Sequence, residues 1–312
     1  AHKAKILNNM GISAYDEFEY EEAMNYYRES KEIFEKIGDS MGVGMLLFNI
    51  SETAFSMCNY KTAYECFNES KEYCQKLADN EGLAQSLFCL GRLYLIFNQL
   101  ELAEKTYAEL EELVETNKLQ PSQMPFMLYL SGSIKLQTKE YDEAEIKITL
   151  ARELFKENSI QFFEFKSSIL LMEMYFYLGK YDKVIRIYNE LILSEEFNRN
   201  KVLHAEALLV MGKMTKRPGV NLSRSAIDYY SEGLGLLENM PISEVTWQLV
   251  FYLGEEYLAK GVHQKGMEHL NNANLLISYL CSSIDDRKFL DSYVNQPERK
   301  RILEKVSKNL VN

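Results

Sequence analysis

A four-residue pattern returns along this chain at steps of 40, 40, 41, 40, 42 and 40 residues. It reads Tyr20-Glu21-Glu22-Ala23, Tyr60-Lys61-Thr62-Ala63, Leu100-Glu101-Leu102-Ala103, Tyr141-Asp142-Glu143-Ala144 and Tyr181-Asp182-Lys183-Val184, with weaker copies ending at Ala226 and Gly266. A step this regular, held over most of 312 residues, excludes a single irregular core and demands a repeat architecture. A second anchor lies twelve residues before each pattern's end: Gly11, Ser51, Gly91, Gly132, Met172 and Gly254. In the sixth copy it is Gly212, fourteen before Ala226, and the extra residues fall around Arg217-Pro218-Gly219, a turn signal. A third anchor lies four residues after: Tyr27, Phe67, Tyr107, Ile148, Tyr188, Tyr230 and Leu270.

The segments around these anchors have a helical apolar period, as in Leu87, Leu90, Gly91, Tyr94 and in Leu102, Tyr107, Leu110, Leu113. Each unit is therefore expected to be two helices joined by a tight turn at Phe18-Glu19, Asn59, Asn98-Gln99, Lys139-Glu140 or Gly179-Lys180. The small residue of the first helix is expected to face the small residue of the second, with the large side chain after the Ala filling the space where the helices diverge.

A small residue, an aromatic, an Ala and a second aromatic at these spacings resemble the tetratricopeptide repeat, whose usual period is about 34 residues. The period near 40 is a departure that lengthens the helices and their connections, as in Ile37-Gly38-Asp39-Ser40-Met41-Gly42 and its counterpart Leu77-Ala78-Asp79-Asn80-Glu81-Gly82. Long repeats of this kind are similar to those of bacterial peptide-pheromone receptors, of sensor arms in large bacterial transcriptional activators and of some eukaryotic polarity scaffolds. The resemblance covers roughly residues 4–282. It implies an all-α, right-handed α-solenoid of seven helical hairpins over 1–282, followed by a C-terminal helical cap over 283–312. The cap is expected as a helix from about Asp285 to Asn295, a break at Pro297 and a last helix to about Leu310, covering the open apolar end of the array. The stretch Asn117 to Pro125 is expected as a loop within one solenoid, able to act as a mild hinge.

Composition narrows function by exclusion. Lys and Arg number 35 against 46 Asp and Glu, a net charge of −11, which opposes general binding to nucleic acid or to an anionic membrane. Residues 1–120 hold 11 of those bases and 21 of the acids, so the acidity is concentrated there. No apolar run is long enough to span a membrane. Ala1-His2-Lys3-Ala4 shows no secretory signal and no initiator Met, and the periodic region begins at once, so a piece of a longer cytoplasmic protein is expected. The five cysteines have no CxxC spacing and read as reduced, buried thiols. The apolar Ile6 and Leu7 near the N-terminus make a homodimer an expectation.

The search for chemistry finds none. The four histidines form neither HExxH nor a zinc-spaced cluster with cysteine, and no phosphate-binding or nucleophile-elbow motif occurs. Acidic pairs such as Glu21-Glu22 fall on solvated helical faces. The expectation is a protein without catalytic residues, metal or cofactor.

In the family that the repeats resemble, the first helices line a concave groove. The position three before the small anchor gives Asn8, Phe48, Phe88, Tyr129, Ile169, Leu209 and Phe251, the position one after gives Ile12, Glu52, Arg92, Ser133, Glu173, Lys213 and Glu255, and the position four after gives Tyr15, Phe55, Leu95, Leu136, Phe176, Lys216 and Leu258. An apolar ladder beside a mixed-charge ladder suits an extended or helical peptide, with burial from the first and register from the second. The expected function is a non-catalytic scaffold that binds a protein or peptide segment, in the sensor region of a larger bacterial signalling or transcriptional regulator. The alternatives are a free-standing receptor for a small peptide signal and a non-catalytic part of a multidomain enzyme.

Overall fold

The computed structural model describes residues 1–116 and 120–309, with side chains through Lys305. Among the described residues the regular structure is all helical. The hairpins are α1 (His2–Asp16) with α2 (Tyr20–Ile37), α3 (Ser40–Ser56) with α4 (Tyr60–Leu77), and α5 (Asn80–Ile96) with α6 (Leu100–Glu115). Next come α7 (Met124–Gln137) with α8 (Tyr141–Glu157) and α9 (Gln161–Tyr177) with α10 (Tyr181–Ile192). A short α11 (Glu195–Arg199) precedes α12 (Lys201–Met214) and α13 (Ala226–Leu236), and α14 (Glu244–Ala259) pairs with α15 (His263–Cys281). The chain ends in α16 (Arg287–Val294) and α17 (Pro297–Asn309). The fold is thus an all-α solenoid of tetratricopeptide-like hairpins. No described helix is long and apolar enough to cross a membrane.

The 40-residue step is written into the backbone at the turns. Phe18, Cys58, Asn98, Lys139, Gly179 and Gly261 all have positive φ, between 54° and 77°. After each, the next amide donates back into the first helix: Glu19 to the Ala14 carbonyl at 2.9 Å, Asn59 to Ala54 at 2.8 Å, Gln99 to Tyr94 at 2.8 Å and Lys180 to Tyr175 at 2.9 Å. This is the Schellman closure, which satisfies carbonyls left open at a helix end. Between repeats, Gly38 and Ala78 repeat the left-handed turn, and the Asp39 and Asp79 carboxylates then accept from the Gly42 and Gly82 amides at 3.0 Å as N-caps. The sixth hairpin has the lengthened connection that Pro218-Gly219 announced, and it restarts at a capping box of Ser225 with Asp228. Of the junction from Asn117 to Pro125, the residues Asn117 to Leu119 lie outside the described ones, and Pro121–Gln123 form a single 3₁₀ turn.

The packing of the anchors differs from the expected small-on-small contact. A Cβ on Gly11 would stand 2.5 Å from the Tyr27 ring, one on Gly132 would stand 2.5 Å from Ile148, and one on Gly212 would overlap the Tyr230 ring. In these three hairpins the first-helix glycine receives the large side chain from four residues beyond the Ala, whereas Gly91 meets Leu130 of α7, 2.7 Å from an added Cβ. In the last hairpin small meets small, where a Cβ on Gly254 would lie 3.0 Å from the Gly266 carbonyl oxygen. The physical reason is volume: a ring lying flat on a helix backbone fills the gap between long helices that a second small residue would leave empty.

The chain divides into two compact units, Ala1–Leu130 with Leu280–Tyr293, and Ser131–Tyr279 with the segment from Val294 on. In the first unit, α16 lies against the turn ends of the second and third hairpins. Phe289 stacks on Phe97 with centroids 5.1 Å apart and meets Tyr64 and Tyr94 edge-on at 5.4 and 6.0 Å. Tyr293 is fully buried beside Tyr60. The Lys61 amide donates to the Ser283 carbonyl at 2.7 Å, and the Lys61 ammonium pairs with Asp285 at 2.5 Å. In the second unit, the apolar core runs from Ile148 and Phe165 through Met172, Tyr188 and Leu208, with a smaller cluster around Tyr230, Leu249 and Leu253.

Candidate peptide-binding face

Equivalent or adjacent first-helix positions meet across neighbouring repeats. Arg92 donates to both Glu52 oxygens at 3.4 Å across 40 residues. Asn49 donates to Asn8 at 2.8 Å, and Tyr15 and Ser56 share a hydrogen bond at 2.9 Å, each across 41 residues. In the second unit, Lys166 donates to Glu206 at 2.5 and 2.6 Å across 40. Contacts at one repeat length can form only where α1, α3 and α5, and again α9 and α12, lie side by side. Within each unit these helices build a polar ladder.

In the first unit the ladder centres on Arg92. Its side chain is 12% exposed and its guanidinium lies 4.5 Å from the Phe55 ring and 5.5 Å from Phe88. Burial works against the Arg92 charge, but Glu52 together with Cys89, Tyr129 and Tyr15 outweighs it and holds the guanidinium above its ordinary range. Burial, reinforced by the Glu52 charge, pushes the nearby Tyr15 hydroxyl well above its usual range. Phe88 packs edge-on against Phe126 at 5.2 Å and Tyr129 at 6.1 Å, and Phe48 lies 6.2 Å from Phe67. Phe88 and Tyr129 are buried, so these rings wall the site by packing repeat on repeat. The structure thus gathers Glu52, Phe88, Arg92 and Tyr129 in one place, and sets Phe48 against the second helix of its own hairpin.

The second unit holds Glu173, Phe176, Lys213 and Phe251. Glu173 is mostly buried, and burial pushes its carboxyl up to about 7. The Lys213 charge opposes that rise, while the Glu206 and Glu298 charges add to it. Phe176 is buried under the Arg217 guanidinium, 4.6 Å from its ring. Phe251 is fully buried, with Arg301 over its ring at 5.4 Å. Lys213 and its equivalent Glu255 are covered by the chain's own C-terminal helix. Lys213 donates to Glu298 at 3.2 Å, and Glu255 pairs with both Arg301 and Lys305. Burial opposes the Glu298 charge, but Lys213 and the Tyr252 hydroxyl, which donates at 2.7 Å, hold its carboxyl below the ordinary range.

Asn49 and Ser56 escaped the sequence reading, although the ladder positions Asn8 and Tyr15 are their partners. Each lies just beside a ladder column, and the usable signal was a pair of hydrogen-bonding residues about 41 apart. Among the described residues no group of three or more His, Cys, Asp or Glu is placed to hold a metal ion. The five cysteines form no disulfide, and Cys58, Cys74 and Cys89 are buried.

The tetratricopeptide repeat model matches residues 42–116, which are the second and third hairpins. No curated protein sequence matches the chain. Among solved structures, the chain is similar to a Rap protein complexed with competence and sporulation factor, with a TM-score of 0.71 and 16% identity over 90% of this chain and 76% of that one. It is also similar to aspartyl phosphate phosphatase F from Bacillus subtilis, with a TM-score of 0.62 and 17% identity over 88% of this chain and 70% of that one. NprR in complex with its cognate peptide NprX is a third, with a TM-score of 0.61 and 13% identity over 96% and 88%. The shared feature is the fold: long tetratricopeptide-like hairpins in series.

Proposed function

We propose that this chain is a non-catalytic, cytoplasmic scaffold that binds a peptide or protein segment along the face of its first helices, as the sensor region of a larger bacterial signalling or transcriptional regulator. The observation that carries this reading is Arg92, a mostly buried cation between two phenylalanine rings on the polar ladder. Its bonds to Glu52 are long at 3.4 Å. A ligand carboxylate making the shorter bonds usual for charge-assisted pairs gains over that resident contact. The surrounding Phe55, Phe88 and Tyr129 supply rigid aromatic walls. The likeness to a Rap protein complexed with competence and sporulation factor, and to NprR with NprX, supports the narrower reading of a receptor for a small peptide signal.

The test is selection of binders from a random peptide display library on the full chain, followed by titration against Arg92→Gln. Selected peptides are expected to carry an acidic side chain or a free C-terminal carboxylate. They are expected to lose about tenfold or more in affinity for the variant. If every selected peptide binds the folded variant as tightly as wild type, this face is not the binding site.

A further inference from the structure

The face of repeats six and seven is covered by α17. Lys213 and Glu255 occupy the same position in successive first helices, one residue after Gly212 and Gly254. They have opposite charge. The tail that lies on them has the matching order: Glu298 meets Lys213, and Arg301 and Lys305 meet Glu255. Glu298, Arg301 and Lys305 stand at i, i+3 and i+7, one face of a helix. On that same face Ile302 is fully buried. Tyr252 donates to Glu298, and Arg299 pairs with Glu244 at 2.7 Å over the Trp247 ring. Glu244 also accepts from the Trp247 indole at 2.9 Å, so its position is fixed before the tail arrives.

A terminal helix needed only to shield an apolar end would require buried aliphatic side chains and a polar outer face. Among its described side chains, Pro297 to Lys305, this helix buries one isoleucine and addresses the ladder mainly through charge, in register with its rungs. That is how a helix is recognised in a groove, with one apolar anchor and charge pairs that fix register and direction.

We propose that the face of repeats six and seven is a binding site for a partner's amphipathic helix with an acidic residue followed by basic residues three and seven positions on, and that α17 holds this site closed in cis. The partner enters by displacing α17, so occupancy is set by competition between the two helices. This rests on the reading of the first-helix face as a binding surface, and it concerns the second unit alone.

The probe is a fluorescent peptide of this chain's own residues 295–309, titrated by anisotropy into the full-length chain. Two variants complete the set. In one, Glu298→Lys/Arg301→Glu/Lys305→Glu reverses the tail, so that Lys213 and Glu255 repel it. In the other, Lys213→Glu/Glu255→Lys is added, so that the reversed tail again matches its groove. The tail-reversed chain is expected to bind the probe about tenfold or more tightly than wild type, and the doubly reversed chain no better than wild type. Equal binding by wild type and the tail-reversed chain, or no binding by either, overturns the proposal. Should the tail-reversed chain not fold, hydrogen exchange on the wild type decides. Saturating probe is expected to speed exchange in residues 297–305, and unchanged exchange there overturns the proposal. Arg92 is intact in every variant, so failure here leaves the Arg92 test standing, and failure there leaves this one.

Discussion

The packing of rings onto first-helix glycines makes two glycines in neighbouring helices respond oppositely to the same substitution. At Gly212, an added methyl would lie 2.7 Å from both Cδ1 and Cζ of Tyr230, about 0.7 Å inside the 3.4 Å at which ordinary contact begins. The ring has no room to retreat. Tyr230 is 1% exposed, sits 5.9 Å from Tyr252 and belongs to the cluster of Leu209, Leu249 and Leu253. Overpacking of this kind costs roughly 1–3 kcal/mol. Replacing a helical glycine by alanine returns up to about 1 kcal/mol, so Gly212→Ala is expected to destabilise by about 1–2 kcal/mol net. Gly235 lies in α13 with nothing within 4 Å of an added Cβ. Gly235→Ala therefore keeps only the helical gain and is expected to stabilise by about 0.5–1 kcal/mol. Urea denaturation followed by circular dichroism gives both signs. Tyr230→Leu in the Gly212→Ala background is expected to recover about 1 kcal/mol relative to additivity. If Gly212→Ala is as stable as Gly235→Ala, the ring-on-glycine account is wrong.

Three further outcomes follow from single sites. The Glu173 carboxyl, pushed up to about 7 from an ordinary value near 4.5, folds best when protonated, so its share of stability is complete below about pH 4.5 and is lost as pH rises through 7. Glu173→Gln is expected to flatten that slope and to stabilise the protein at pH 8 by on the order of 2 kcal/mol, read from denaturation midpoints at pH 5 and pH 8. Phe289→Ala removes a buried ring from three aromatic partners, and hydrogen exchange in residues 287–294 is expected to rise by about two orders of magnitude while α9 and α12 keep their protection. Burial pushes the thiols of Cys66 and Cys74 up to about 11, with the Glu69 and Asp79 carboxylates adding to the rise. A disulfide reagent at pH 8 is expected to modify them about 100-fold more slowly in the native chain than in urea.

The solenoid was legible because its determinants are local and repeated. A Gly or Ser, an Ala twelve residues on and a ring four beyond that fix a hairpin wherever they recur, and the turn at each 40-residue step needs only the residues beside it. The contact geometry within a hairpin was less legible, since spacing alone does not say whether Gly212 meets Ala226 or Tyr230. The tail is the clearest case of partial legibility. Helices on either side of Pro297 were readable, because Pro opens a helix at its first position, as it does in α17. Their docking was not. Phe289 meets Phe97, and Glu298 meets Lys213, through separations of 192 and 85 residues, and no periodicity within the sequence encodes such a meeting. For the same reason the ladder columns were found, whereas the occupation of Lys213 and Glu255 by α17 was not.

The central claim is that ligands bind along the ladder of first helices in the first unit. A display-selected peptide with a photoreactive benzophenone at its centre, cross-linked to the full chain and mapped by mass spectrometry, tests it most directly. The account predicts cross-links on α3, α5 and the first residues of α7, at Phe48, Glu52, Phe88, Arg92 and Tyr129. Cross-links confined to the second helices, such as the exposed Glu65 and Glu72 of α4 or Glu104 and Glu111 of α6, would contradict it.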